Sequence, residues 1–258
     1  MSSFKQKRVG LIGYGTIGRR IANAAQERGF AKIDFVFSRK PIPPAHLPPG
    51  ATALTDLQAV LERSVDLVVE AAAPQVITDF GLDLLRSGDL AAFSITALAD
   101  DALRSQTEAV CLESGTRLFL PHGAILGLDG LRDGRTLIEQ VTVTTTKHPR
   151  NLGFDDDRDL VLYDGPTREA CRQFPRNVNV HAAIAIAGIG FDRTRSRIVA
   201  DSSTKNMRHE IKVQGEGIEW SLSVASVAGS GVTGSYTPVS AASSVERILQ
   251  GASGLVLA

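Results

Sequence analysis

Gly13, Gly15 and Gly18 stand at GxGxxG spacing in the run Gly13-Tyr14-Gly15-Thr16-Ile17-Gly18, directly after an apolar stretch at residues 9–12 and before a helical pattern at 17–27. In that setting each glycine has a task. The first permits a tight turn, the second lets a pyrophosphate approach the backbone, and the third lets helix and strand pack closely. The helix N-terminus adds unpaired N–H groups and a partial positive charge, so this loop, with Thr16 and Ile17 in its first turn, is read as a dinucleotide pyrophosphate site. An ordinary tight turn in a doubly wound fold would use the same glycines. The next strand ends in Phe37-Ser38-Arg39-Lys40. No carboxylate stands there for a ribose 2′-OH, whereas Ser38, Arg39 and Lys40 offer one hydroxyl and two cations to a 2′-phosphate. NADP is therefore favoured over NAD, with dual use open, and a solvated turn is the plain alternative for the two cations.

A nicotinamide enzyme also needs a group that moves protons beside its substrate. The chain has five histidines. His46 lies in a proline-rich loop, His122 follows a strand, His148 sits in Lys147-His148-Pro149-Arg150, His181 enters a helix and His209 begins a strand. Spacing alone does not single out His209, since a histidine at a strand edge is commonly structural or solvated. Lys147, His148 and Arg150 form a cationic cluster suited to a dicarboxylate, or simply a charged, solvated loop. Asp155-Asp156-Asp157 lacks partners at metal-ligand spacing and reads as an exposed acidic loop, so no metal is expected.

The elements that must position these residues alternate strand and helix from Arg8 to about Leu120, which means a parallel sheet with crossover helices. The prolines between Pro41 and Gly50 mark a surface loop after the second strand. Past Gly134 the rhythm changes: residues 141–146 alternate at period two with β-branched side chains, as in a half-exposed antiparallel strand. Further strands are expected at 197–200, 209–213 and 218–224, with helices near 167–174 and 180–187. The resulting reading is an α/β chain. Residues 1–121 form a Rossmann domain, a helix within 237–258 packs back on it, and residues 122–236 form a second α+β domain with a mostly antiparallel sheet.

Composition narrows the partners. Lys plus Arg and Asp plus Glu both number 28, so no global field would draw in nucleic acid or an anionic membrane, and a small-molecule partner fits better. No apolar run approaches the roughly 18 residues that span a bilayer, and no leader is visible, so a cytoplasmic protein is expected. Cys111 and Cys171 lie in helical segments without CxxC spacing and are read as plain thiols.

Several segments together resemble the L-aspartate dehydrogenase family across nearly the whole chain. They are residues 10–18, Val69-Glu70-Ala71-Ala72, His122-Gly123-Ala124-Ile125 with Gly127-Leu128-Asp129, residues 174–180, and Asn206 to Ile211 around His209-Glu210-Ile211. The resemblance implies NAD(P)-dependent oxidation of the L-aspartate α-carbon to iminosuccinate, which hydrolyses to oxaloacetate and ammonia or feeds NAD biosynthesis. It also implies that His209 is the catalytic acid/base and that Ala124 and Asn179 contact cofactor. Asn177 and Asn179 would equally suit helix caps. Two departures stand out: Met207 occupies a position where the family often has Asn, and residues 229–236 replace an Asn-Pro-Lys-Thr-Ser segment. Arg208 is the expected substitute for the missing lysine at a substrate carboxylate. By analogy with two-domain enzymes of this kind, a homodimer is expected. The rival readings are an NADP-dependent imine or amino-acid dehydrogenase for another small substrate, and a non-catalytic NADP-binding redox sensor.

Overall fold

A computed structural model describes residues 6–227 and 234–251. The chain divides into two compact units, one holding the residues up to Pro121 and from Pro238 onward, the other His122–Thr237.

The first unit is built on β1 (Lys7–Ile12), α1 (Thr16–Arg28), β2 (Ala31–Phe37), β3 (Thr52–Leu54), α2 (Gln58–Leu61), β4 (Leu67–Glu70), α3 (Pro74–Ser87), β5 (Leu90–Ala92), α4 (Asp101–Ser114) and β6 (Leu118–Phe119). Its six strands lie in the order β3-β2-β1-β4-β5-β6, and every pairing is parallel. This is the doubly wound order, and it reverses between β1 and β4, where ligands of such sheets bind beyond the strand ends. All four residues of β4 are buried, as a parallel strand covered on both faces must be. The short β3, absent from the sequence reading, pairs with the last three residues of β2 after the proline-rich loop.

Glu70 closes β4 with its carboxylate fully buried. One oxygen accepts from the N–H groups of Ala72 (2.7 Å) and Ala73 (2.9 Å) and from the Ser94 hydroxyl (2.8 Å), and the other from Ser94 N–H (3.0 Å). Burial raises its pKa, and these four donors oppose that rise. Glu70 thus ties the turn after β4 to the end of β5.

The second unit contains α5 (Leu128–Asp133), β7 (Ile138–Lys147), β8 (Leu160–Pro166), α6 (Thr167–Gln173), α7 (Asn179–Ala187), β9 (Thr194–Ala200), β10 (Asn206–Gly215) and β11 (Ile218–Val227). Its sheet runs β11-β10-β7-β9-β8, antiparallel throughout except for the parallel pair β7–β9. Along β7, Val141, Val143, Thr145 and Lys147 are buried and their neighbours are not. On β10 the buried set is Met207, His209, Ile211 and Val213. Val141, Val143, Ile211 and Val213 pack with Leu131 of α5 and Ile184 of α7 in one core.

Two elements here escaped the sequence reading, α5 and β8. β8 is an edge strand ending in Gly165-Pro166, with a register irregularity against β9, so its strand signal is weak. The last helix, α8 (Tyr236–Gln250), begins three residues earlier than its hydrophobic pattern suggests. It buries Ala241, Ala242 and Val245 in the first unit's core with Val9, Leu11 and Ile21. Arg28 of α1 reaches its Glu246 at 2.8 Å.

Candidate active site

The first unit's site begins at Gly13. Its φ of +98° lies in the region that favours glycine, and a Cβ there would stand 2.5 Å from the Ala71 carbonyl oxygen. Its N–H donates to the carbonyl of Phe37 at 2.9 Å, so the turn links the ends of β1 and β2 and lies close against β4. Gly18 is buried against the same turn, where a Cβ would collide with the Gly13 carbonyl oxygen. Gly15 is different: nothing lies within 4 Å of a Cβ built there, and it precedes α1 without any side-chain cap. An open approach to backbone N–H groups at a helix start fits a pyrophosphate. Thr16 and Ile17 form the first turn of that helix.

A cavity of about 1040 Å³ opens at this strand reversal, lined among others by Gly13, Gly15, Ser38, Arg39, Lys40 and Ala72. That size and placing fit a dinucleotide. Arg39 and Lys40 are exposed and have no ion-pair partner among the described residues.

The second unit collects a different chemistry. His209 on β10 lies directly across from Thr145 on β7, and both face the core. His209 Nδ1 is 2.8 Å from Thr145 Oγ1, which is 2.7 Å from Nε2 of His181 on α7. His181 Nδ1 meets Ser196 Oγ on β9 at 2.9 Å, and Ser196 Oγ lies 2.7 Å from Thr167 Oγ1 on α6. Thr167 donates in turn to the Thr194 carbonyl at 2.9 Å. Lys147, two residues past Thr145 and 3% exposed, donates to Asn177 Oδ1 at 3.3 Å and has no carboxylate partner among the described residues.

Burial disfavours charge on all three bases. It lowers Lys147 to about 8. It lowers His209 to about 3, helped by the Lys147 charge, and it holds His181 well below its ordinary value, with His209 and Lys147 adding to the effect. At neutral pH the cluster is two neutral imidazoles beside one ammonium.

The other expected site residues are scattered. Ala124 is buried in the turn before α5, where His122 Nδ1 is 2.7 Å from the Ile125 carbonyl oxygen. Asn179 is the first residue of α7, whose cap position is Val178 without a side-chain cap bond, so neither Asn177 nor Asn179 caps this helix. The cationic cluster read from Lys147, His148 and Arg150 is split. Lys147 turns to the core, while His148 and Arg150 lie 3.7 and 3.8 Å from Asp157. Arg208 is exposed, and strand alternation turns it to the opposite face from buried His209, which overturns it as a carboxylate anchor beside that histidine. Residues 229–233 of the departing segment lie outside the described residues. His181, Thr145 and Ser196 were missed as site residues. The available signal was parity: Thr145 and Lys147 share the buried parity of Val141 and Val143, as His209 shares that of Ile211.

Residues 129–248 match the family described as aspartate dehydrogenase, C-terminal, and residues 13–121 match the NAD-binding domain of homoserine dehydrogenase. An L-aspartate dehydrogenase of Nitrosopumilus maritimus is 32% identical over 231 residues, covering 81% of this chain and 84% of its own length. The chain belongs to the aspartate dehydrogenase family. A second family member, from Archaeoglobus fulgidus, is 36% identical over 81% of this chain and 82% of its own. The crystal structure of the Thermotoga maritima aspartate dehydrogenase superposes with a TM-score of 0.79 at 26% identity, over 98% of this chain and 100% of that one. Family membership makes the chain an NAD(P)-binding oxidoreductase, with its dinucleotide-binding domain in residues 13–121. No described helix is long and apolar enough to cross a membrane.

The neutral histidines make stability depend on acid. An unfolded imidazole takes a proton near pH 6.5, whereas folded His209 does so only near 3. Between those values the unfolded chain binds more protons. The stabilisation is therefore complete above about pH 6.5 and is lost as pH falls towards the folded value. Thermal melting from about pH 7 to about pH 4 is expected to show a smaller fall for His209→Gln than for the parent. Equal slopes would show that His209 is not held neutral.

Proposed function

We propose that this chain catalyses NAD(P)-dependent oxidative deamination of L-aspartate to iminosuccinate, and through it oxaloacetate and ammonia, or the reverse reductive amination. One observation carries the reading: a buried neutral imidazole, His209, shares a cluster with a buried ammonium, Lys147, in a chain whose relatives are named L-aspartate dehydrogenase. When bound, the nicotinamide supplies a two-electron sink for the α-carbon hydride. The turn at Gly13, Gly15, Thr16, Ile17 and Gly18 holds the pyrophosphate, and Ala124 and Asn179 are read as further cofactor contacts. Hydride leaves the α-carbon only when the amine nitrogen has a free electron pair. His209 therefore takes a proton from the substrate ammonium, and the same ring can later take one from the water that attacks the imine.

Lys147 is read as the anchor for a substrate carboxylate. It is one cause of the low His209 pKa, so a carboxylate seated on it cancels part of that effect and brings the base towards its working range. Substrate binding and base strength are thus coupled. For the cofactor, Ser38, Arg39 and Lys40 at the cavity wall, with no carboxylate at the end of β2, support NADP in preference to NAD.

Nicotinamide absorbance with L-aspartate is expected to rise for the parent, and the rate to fall about 100-fold or more in His209→Ala. A parent that binds NADPH yet turns over no aspartate would sink the substrate assignment. Replacing Lys147 by Met removes a buried charge without a carboxylate partner among the described residues. It should raise the melting temperature at pH 7 while raising KM for aspartate about tenfold or more; an unchanged KM would remove Lys147 from the carboxylate site. The double variant Arg39→Ala/Lys40→Ala should raise KM for NADP and leave that for NAD nearly unchanged. Equal effects on both would argue against a 2′-phosphate site.

A further inference from the structure

The buried line from His209 to Thr194 has a direction. A carbonyl only accepts, so the Thr167 hydroxyl commits its single proton to Thr194 O. Ser196 must then donate its own proton to Thr167 Oγ1, 2.7 Å away. With that proton used, the 2.9 Å contact between Ser196 Oγ and His181 Nδ1 requires His181 to donate. A neutral ring protonated at Nδ1 has a lone pair at Nε2, so Thr145 donates to it across 2.7 Å. Thr145 then has no proton left for His209, and the 2.8 Å contact at Nδ1 is donated by His209. Reversing any one member leaves two acceptors facing each other among buried side chains.

We infer that this one-way line fixes neutral His209 in the Nδ1–H tautomer, making Nε2 the atom that accepts the proton, with Thr145, His181 and Ser196 as positioning residues. The inference rests on the reading of His209 as base and adds which atom works and what holds it so. Nε2 of His209 has no hydrogen-bond partner among the described residues, as a working lone pair requires. In the proton transfer, an N–H bond of the substrate ammonium breaks and its electron pair stays on the substrate nitrogen. A new N–H bond forms at Nε2, and the Nδ1–H bond is untouched. The resulting imidazolium still donates to Thr145, so no member of the line has to turn.

Nitrogen-15 spectra of the full chain with labelled histidine, assigned by loss of the His209 signals in His209→Ala, read the tautomer without turnover. The expected result is a protonated Nδ1 and a bare Nε2. Thr145→Val keeps the shape and removes the hydroxyl. It should mix the two tautomers and lower kcat with L-aspartate by about 10- to 100-fold, with little change in KM. Thr145→Ser should recover both the tautomer and the rate. An Nε2–H form in the parent, or the same kcat and tautomer in the Val and Ser variants, would overturn the inference. If Thr145→Val does not fold, Ser196→Ala, which opens the line beyond His181, takes its place, and the parent spectrum remains decisive by itself. A His209→Ala protein that turns over like the parent would instead defeat the base reading, whatever tautomer the spectra report, so the two failures are distinct.

Discussion

A buried hydroxyl has one proton to give, and in the second unit that limit organises five elements at once. β7 supplies Thr145, β10 His209, α7 His181, β9 Ser196 and α6 Thr167, and the line ends on the carbonyl of Thr194. An unmet polar group in such surroundings costs about 1–3 kcal/mol, and a register slip of one residue would turn a strand's whole inward set to the other face. Thr145 and Ser196 share their strands' inward faces with Val143 and Ile198, so hydrophobic and polar partners specify the same register. The apolar core alone would tolerate a shift of two residues far better than the line would.

The first unit solves a related problem with backbone instead of side chains. Its reactive surface is a set of N–H groups at the start of α1, which work only if nothing else covers them. Gly13 lets the turn lie against Ala71, Gly18 lets the helix sit on the turn, and Gly15 keeps the approach open. Glu70 secures the adjoining turn by gathering donors from Ala72, Ala73 and Ser94 on one carboxylate. Burial opposes that charge, and the four donors offset part of the opposition, so the acid acts as a fastening between two strand ends and leaves the solvent side of the turn to a ligand.

This contrast explains how much was legible before the fold. The glycine turn spans six consecutive residues, and its meaning follows from backbone sterics and the strand and helix beside it. The polar line joins residues 15 to 64 positions apart, and nothing local marks Thr145 as different from Thr142, Thr144 or Thr146. Parity narrows the choice, because Thr145 falls on the buried side with Val143. Only pairing with β10 shows that His209 lies opposite it. For the same reason Lys147, His148 and Arg150 look like one patch in sequence and divide in space: alternation sends the first inward, and the chain turns after it. β8 and β3 were hidden for another reason, being edge strands next to proline or glycine where propensity is poor.

Burial then sets the chemistry that such a line can support. It drives His209 and His181 towards the neutral form and Lys147 towards losing its proton, yet at neutral pH the lysine, lowered only to about 8, keeps most of its charge. The cluster is consequently positive with no carboxylate partner among the described residues, which is costly in a buried site and favours an arriving anion. Burial is the larger cause of the low His209 pKa and the Lys147 charge the lesser, so an anion near Lys147 strengthens His209 as a base by offsetting part of the second, and the line behind the ring keeps its orientation while that happens. In the proposed reaction, charge selection and base strength therefore share one lysine.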